Sequence, residues 1–468
     1  MAARVRDMTH GSPGRHIVVF ALPLMLGNIF QQLYTMTDAI IVGRFAGVEA
    51  LAAVGATDWL SWLLFGVISG FAQGFSILTA QRFGARDEAG LRRAVGNSAT
   101  LAALIAGAFT LISLLSVGWT LRLLRTPENV FAMAALYLAI IYAGMPVTMT
   151  YNLTAGVLRS LGNSRAPLIA MVCASAANIA LDLLFVAWLQ WGVAGAAAAT
   201  VLAQGLAAGV CLLALRRIPE IRLRRQDLAL DRAVAKELMQ LGAPVAAQNA
   251  IIAAGGMAVQ RVVNGFGFVF LAGFTATNKL YGVLEVAATS FGFSMATFSG
   301  QNLGAGRLDR IRRGTNAALG ISLITSCAIS AAMFLFGRPI LGLFVSATEA
   351  AADAVLDVAV RYLNCMAAVL FVLYFLYVYR STLQGMGDTL IPMLSGFVEM
   401  VMRVGTAFLL PRFIGQDGIY YAEIAAWIGA TLLLGAGYYA RIGRLERQRD
   451  GRDGSFVPPD DKQRPEQF

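Results

Sequence analysis

The chain of 468 residues is 57% hydrophobic and only 14% charged, which excludes a soluble globular domain, where charged residues make up about a quarter. Its net charge of +10 is spread over alternating loops and not gathered on one face, so it is a mark of membrane topology and excludes a nucleic-acid surface. The lysines are Lys236, Lys279 and Lys462, none follows a GxxxxG loop, and a nucleotide-binding P-loop is therefore excluded.

The lead segment carries Arg4, Arg6 and Arg15 without the charged, apolar and small-residue succession of a cleaved signal, and reads as a cytoplasmic lead. Apolar runs long enough to cross a bilayer as helices follow at about 17–43, 58–80, 95–118, 131–157, 166–190 and 193–215, then at 239–264, 269–298, 315–337, 356–382, 391–414 and 418–441. A β-barrel would show short alternating segments instead. Every second loop is rich in arginine (Arg82, Arg86, Arg92 and Arg93; Arg159 and Arg165; 216–236; Arg307, Arg310, Arg312 and Arg313; the tail from Arg441), whereas the loop with Glu349, Asp353 and Asp357 is acidic. The positive-inside rule then predicts cytoplasmic termini in a multi-pass protein of the cell membrane.

Landmarks recur. Pro23 precedes Gln81-Arg-Phe-Gly-Ala85 by 58 positions, and Pro244 precedes Gln301-Asn-Leu-Gly-Ala305 by 57, the mark of an internal repeat. Six spans per half is an even number, so the second half starts on the same side as the first. The expected fold is an all-α integral membrane protein of twelve transmembrane helices in two six-helix lobes, related by a parallel pseudo-twofold repeat. Residues 1–215 form the first lobe, 216–236 a cytoplasmic linker, 237–445 the second lobe and 446–468 a tail too polar to fold. Gly66, Gly70 and Gly74, one turn apart, should let a neighbouring helix come close. Pro23 and its counterpart Pro244 each remove a helical hydrogen bond, making Pro23 a candidate hinge. Cys173, Cys211, Cys327 and Cys365 are far apart, without metal or CxxC spacing, and read as small buried apolar side chains. Both histidines, His10 and His16, lie in the lead, so no metal site or histidine-based catalytic group is expected within the spans.

Carboxylates inside apolar spans carry the chemistry, because an ionised Asp at the bilayer centre costs at least about 2.5–3.5 kcal/mol. Asp38 and Asp182 stand out. Gln31, Thr35 and Asp38 share one face of the first span, Asn178 and Asp182 one face of the fifth, Thr200 and Gln204 one face of the sixth. Shifting by the repeat brings Asp38 to Ala258 or Val259 and Asp182 to Ala407, so the acids are not copied and symmetry does not require them. Glu285 has no helical partner and is a candidate for attracting a cation. Glu399 and Arg403 are spaced as a helical ion pair.

The ordered landmarks, from Leu22-Pro23, Asn28, Gln31-Gln32-Leu33-Tyr34 and Val42-Gly43 through Gln81–Ala85, Gly162–Pro167, Gly192-Val-Ala-Gly195, Gln260, Asn264 and Gln301–Gly306 to Gln384-Gly-Met-Gly-Asp388, resemble the multidrug and toxic compound extrusion family over nearly the whole chain. The resemblance implies a secondary active exporter, not an enzyme, that antiports cationic or amphipathic compounds against protons or sodium by alternating access, with Asp38, Asn178, Asp182 and Thr200 as the proton or cation site. Gln31, Tyr34, Thr35, Gln204, Gln260, Asn264 and Glu285 are then candidates for the substrate cavity. No cofactor is expected, the partners are small molecules and membrane lipids, and the protein is expected to be a monomer. The alternative within this fold is a flippase for a lipid-linked sugar or cell-wall precursor. Its anionic substrate would call for arginines ringing the cavity, whereas here arginines other than Arg261 and Arg403 lie mostly at the rims.

Overall fold

The computed structural model describes residues 5–124, 126–344 and 351–453, and among them there is helix and no strand. The elements are α1 (Pro13–Ile41), α2 (Val48–Gly84), α3 (Glu88–Leu123), α4 (Glu128–Ala143), α5 (Met145–Ser160), α6 (Arg165–Asp182), α7 (Gly192–Arg216), α8 (Arg232–Val263), α9 (Phe268–Gly304), α10 (Leu308–Gly342), α11 (Ala352–Ala368), α12 (Leu370–Gly385), α13 (Leu390–Leu409), α14 (Pro411–Ile414) and α15 (Tyr420–Asp453). Arg4, Glu349 and the tail from residue 454 lie outside the described residues. Helix α15 runs beyond the 445 boundary read from composition, and α8 begins within the stretch read as linker.

Eight stretches are long and apolar enough to cross a membrane alone, the last running from Leu390 to Gln448 through α13 and α15. The pairs α4/α5 and α11/α12, bent by 45° and 52°, add two broken spans. Helix α9, whose 37 residues include Asn278, Lys279 and Glu285, is one more, and with α13 and α15 counted as separate crossings the total is twelve, six in each lobe. Aspartates set two of the helix starts: Asp87 accepts from Gly90 N at 2.8 Å ahead of α3, and Asp231 accepts from Ala233 N at 2.8 Å ahead of α8. Leu115, Ile324 and Leu335 on α3 and α10 are more than 70% exposed, as suits helices whose outer faces meet lipid instead of water. Cys173 and Cys327 are exposed on helix surfaces as well, and only Cys211 is fully buried, which corrects the expectation that all four are core side chains.

The repeat is written into the backbone. Gly47 and Gly267, which start α2 and α9, have φ of 94° and 87°, and Gly162 and Gly387, after α5 and α12, have 77° and 79°. Arg86 (φ 56°) adopts the left-handed conformation that Gly306 (φ 69°) takes in the second half.

The lobes meet along the face that carries the arginine loops. An ideal Cβ on Gly74 would lie 2.3 Å from Gly242 Cα, and one on Gly70 would lie 2.6 Å from Ala246 Cα, so α2 and α8 touch backbone to backbone, as the glycine spacing predicts. Closer to the arginine loops, Gly84 is pressed against the backbone of Gln301, and Gly304 against that of Gln81. Helices α1 and α8 straddle the seam. Ile17, Phe20 and Leu24 of α1 pack in the second lobe's core, while Leu238 and Leu241 of α8 pack in the first lobe's core. Towards the other face, Gly47, Gly55, Gly265 and Gly267 have open space where a Cβ would stand. Backbone-to-backbone contact between the lobes is thus on the arginine-loop face, whereas nearer the other face α2 meets α8 through a side chain, Trp59 against Gly256.

Candidate functional site

Parallel packing of α1 and α6 builds the site. Gly27 lacks a side chain, which lets Leu168 approach, and Ser175 Oγ donates to Phe30 O at 3.3 Å. Asp182 is seven residues beyond Ser175 and Asp38 eight beyond Phe30, about two turns along each helix, so the rise of ~1.5 Å per residue carries the two carboxyls to the same level. They are immediate neighbours in the structure. Both helices then widen into π-helical turns, Val42–Ala46 after α1 and Leu183–Trp188 after α6, a local geometry frequent at functional sites. Phe185 stacks on Trp191 at 4.9 Å between centroids and closes the outer end of the second turn.

Asp182 is buried and Asp38 half-buried, each the other's near neighbour. Asp182 is 0% and Asn178 is 1% exposed. Both oxygens of Asp182, both amide atoms of Asn178 and Oδ1 of Asp38 are buried without a hydrogen-bond partner. Buried polar atoms are normally paired, and the four oxygens among these five atoms, together on two adjoining helices, are acceptors that suit a proton or a small cation. Thr200 of α7 is half-buried, whereas Gln204 one turn further on is already engaged, accepting from Thr148 Oγ1 of α5. The positions that the repeat brings opposite the acids, Val259 and Ala407, are 4% and 0% exposed and packed among apolar side chains. The site belongs to the first lobe alone.

The remaining candidates divide. Tyr34 lies beside Gln31 and near both acids, and Gln31 and Thr35 on the same helix are exposed towards the cleft. Gln260 and Asn264 bond to one another, Nε2 to Oδ1 at 2.9 Å, on the outer end of α8 and away from the acids. Glu285 of α9 is half-buried and accepts from Tyr377 Oη of α12. Pro23 is half-buried in the part of α1 that crosses the seam.

Three residues escape the sequence reading. Asp58 of α2 lies within electrostatic reach of Asp38 on one side and of Lys279 of the second lobe on the other. The apolar run is read from residue 58, so Asp58 passes for the polar boundary of its span, whereas α2 begins ten residues earlier, at Val48. Tyr137 of α4 is near Asp38, Asp58 and Asp182, a tertiary neighbourhood without a local signal. Arg380 of α12 pairs with Glu399, while Arg403 lies 3.9 Å from Glu399 and 2.8 Å from Glu423 of α15. The helical pair expected from spacing is thus the middle of a network of six groups that begins at Glu285 and Tyr377 and ends at Glu423.

A family model described as MatE matches residues 23–184 and 244–409, one segment in each lobe. Two proteins of Bacillus subtilis are similar over nearly their whole length: the probable multidrug resistance protein YoeA, 27% identical over 444 residues, with 92% of this chain and 95% of that protein covered, and the probable multidrug resistance protein YpnP, 28% identical over 449 residues, with 95% and 98% covered. A crystal structure of MATE in complex with MaL6 superposes with a TM-score of 0.88 at 23% identity, covering 94% of this chain and 99% of that one.

Proposed function

The chain belongs to the MatE family, and we propose that it is a secondary active exporter of cationic or amphipathic small molecules, antiporting them against a proton or sodium ion bound between Asp38 and Asp182. The observation that supports this most directly is the set of partnerless buried atoms on Asp38, Asn178 and Asp182. Two adjacent carboxylates in apolar surroundings repel one another, and one proton or one monovalent cation between them removes the repulsion. Loading and unloading then changes how strongly α1 is held to α6. Pro23 provides a gap in the hydrogen-bond ladder at which α1 can bend in response. Substrate enters the cleft past Gln31, Tyr34 and Thr35. With Asp38 and Asp58 on the first-lobe side and Asp182 buried beside Asp38, the space between the lobes suits a cation better than the pyrophosphate of a lipid-linked sugar, which weighs against the flippase alternative.

The energetics allow it. One charge crossing ~100 mV is worth about 2.3 kcal/mol, and one pH unit adds about 1.4. In vesicles holding a fluorescent cationic drug, an imposed pH gradient and an imposed sodium gradient are tested separately. Efflux under one of them, and abolished by its collapse, is expected; efflux under neither refutes ion-coupled antiport.

The arginine loops support a topology with both termini and the linker in the cytoplasm of a cell-membrane protein. Cysteines placed singly at positions 225 and 353 are expected to react oppositely with an impermeant maleimide added to intact cells, 353 labelled and 225 protected. The reverse pattern overturns this orientation.

A further inference from the structure

The segment ahead of α1 lies across the lobe seam on the arginine face and is fastened to both lobes. Met8 is 0% and Thr9 is 6% exposed although they precede the first helix. On the first-lobe side, Arg6 N donates to Leu161 O at 3.0 Å in the turn between α5 and α6. The fit there is close, since a Cβ on Gly162 would meet Arg6 O at 2.2 Å. On the second-lobe side, Met8 N donates to Gln301 Oε1 at 2.9 Å, and Asn302 Nδ2 donates to Met8 O at 3.3 Å. Arg310 of α10, 8% exposed, gathers the segment's carbonyls: Nη2 donates to Met8 O at 3.0 Å and to His10 O at 3.2 Å, Nη1 to Gly11 O at 2.9 Å, and Nε to Asn302 Oδ1 at 3.0 Å. Gln301 also reaches the first lobe, its Nε2 donating to Ser160 O at 2.7 Å.

This is more than a tidy terminus. A buried guanidinium without an ion pair among the described residues has its donors met by backbone carbonyls, and those carbonyls are held in place only while residues 8–11 lie along α10. Asp7 fixes the turn that brings them there, accepting from Thr9 N at 2.7 Å and from Thr9 Oγ1 at 2.6 Å. Lobes that separate on this face must break either the ties to the first lobe, at Leu161 and from Asp7 to Arg86 at 3.8 Å, or those to Gln301, Asn302 and Arg310. Bonds from a charged donor are the strong kind.

We propose that residues 5–12 form a latch on the arginine face, holding the lobes closed there while the cleft is open on the other side, and that Arg310 is the positioning residue that sets the latch. The proposal rests on the alternating-access reading, but its test measures lobe separation and not transport, so the two can fail independently. Ser160 is 2% exposed at the seam and serves as reporter. Ser160→Cys is made in a background with Cys173, Cys211, Cys327 and Cys365 replaced by alanine, and its reaction with a small maleimide is followed in purified protein without substrate or gradient. Arg310→Gln is expected to raise the labelling rate about tenfold, the net worth of roughly one charge-assisted hydrogen bond, with Arg310→Lys intermediate. A chain lacking residues 2–9 is expected to show the same increase and decides the matter if Arg310→Gln does not fold. An unchanged rate in a folded Arg310→Gln protein, or in the shortened chain when Arg310→Gln does not fold, overturns the latch.

Discussion

Replacing Asp182 with Asn is expected to reduce gradient-driven efflux to that of empty vesicles, a loss of at least about a hundredfold, while the protein still folds and inserts. The substitution keeps the shape of the side chain and removes only its ability to change charge. Apart from its approach to Asp38, Asp182 makes no hydrogen bond among the described residues, so little packing is lost. A buried unsatisfied charge is itself costly, and thermal stability in detergent should stay level or rise slightly. Because Asp38 adjoins Asp182, the two should act as one unit. Asp38→Asn, Asp182→Asn and the double mutant are then expected to show similar losses, since groups that act together are not additive. Ion release on substrate addition, measured across the three variants, checks this. Losses that multiply, with unchanged ion stoichiometry in either single variant, would show that the acids are two sites and would end the coupling scheme given above.

The second large effect is expected on stability. Arg380, Glu399 and Arg403 are all at least nine-tenths buried, and the side chain of Arg380 also lies over the Tyr377 ring at 5.7 Å. Glu399→Leu leaves Arg380 buried without its carboxylate. Removing one partner of a buried pair costs about 3–5 kcal/mol, far more than a surface pair is worth. Thermal unfolding of the detergent-solubilised protein should therefore shift down strongly for Glu399→Leu and for Arg380→Met. The double substitution Arg380→Met/Glu399→Leu should regain most of the loss, because two apolar side chains leave no isolated charge. A double variant no more stable than the worse single one would mean that the network is needed for packing and not merely balanced in charge. Glu285, joined through Tyr377, is then expected to tolerate Glu285→Gln with a much smaller change, since an amide still accepts from the phenol.

The sequence by itself determined the class, the number of crossings and the repeat, because each rests on one-dimensional quantities: the length of apolar runs, the alternation of arginine loops and the distance between matching landmarks. It also singled out Asp38 and Asp182 as candidates, because a carboxylate inside an apolar span is costly wherever the helix packs. That α2 would take a neighbour at close range was legible too, since glycines one turn apart make a helix narrower on that side; that the neighbour is α8 was not. Tertiary structure decided what depends on which helices meet. Asp58 and Tyr137 join the acids only because α2 and α4 border the same cleft. Arg380 and Glu423 enlarge the Glu399/Arg403 pair because α12 and α15 flank α13, and no spacing along one helix could show it. The mutual bond of Gln260 and Asn264, which the resemblance names for the cavity, is likewise seen only in space. The segment before α1 reads as a polar lead, and only the seam, where Leu161 of one lobe and Arg310 of the other reach it together, makes it a part of the closed face. Hydropathy reports how a residue partitions between water and lipid; it carries no information about which buried surfaces are opposite one another, and that pairing is what builds both the site and the seam.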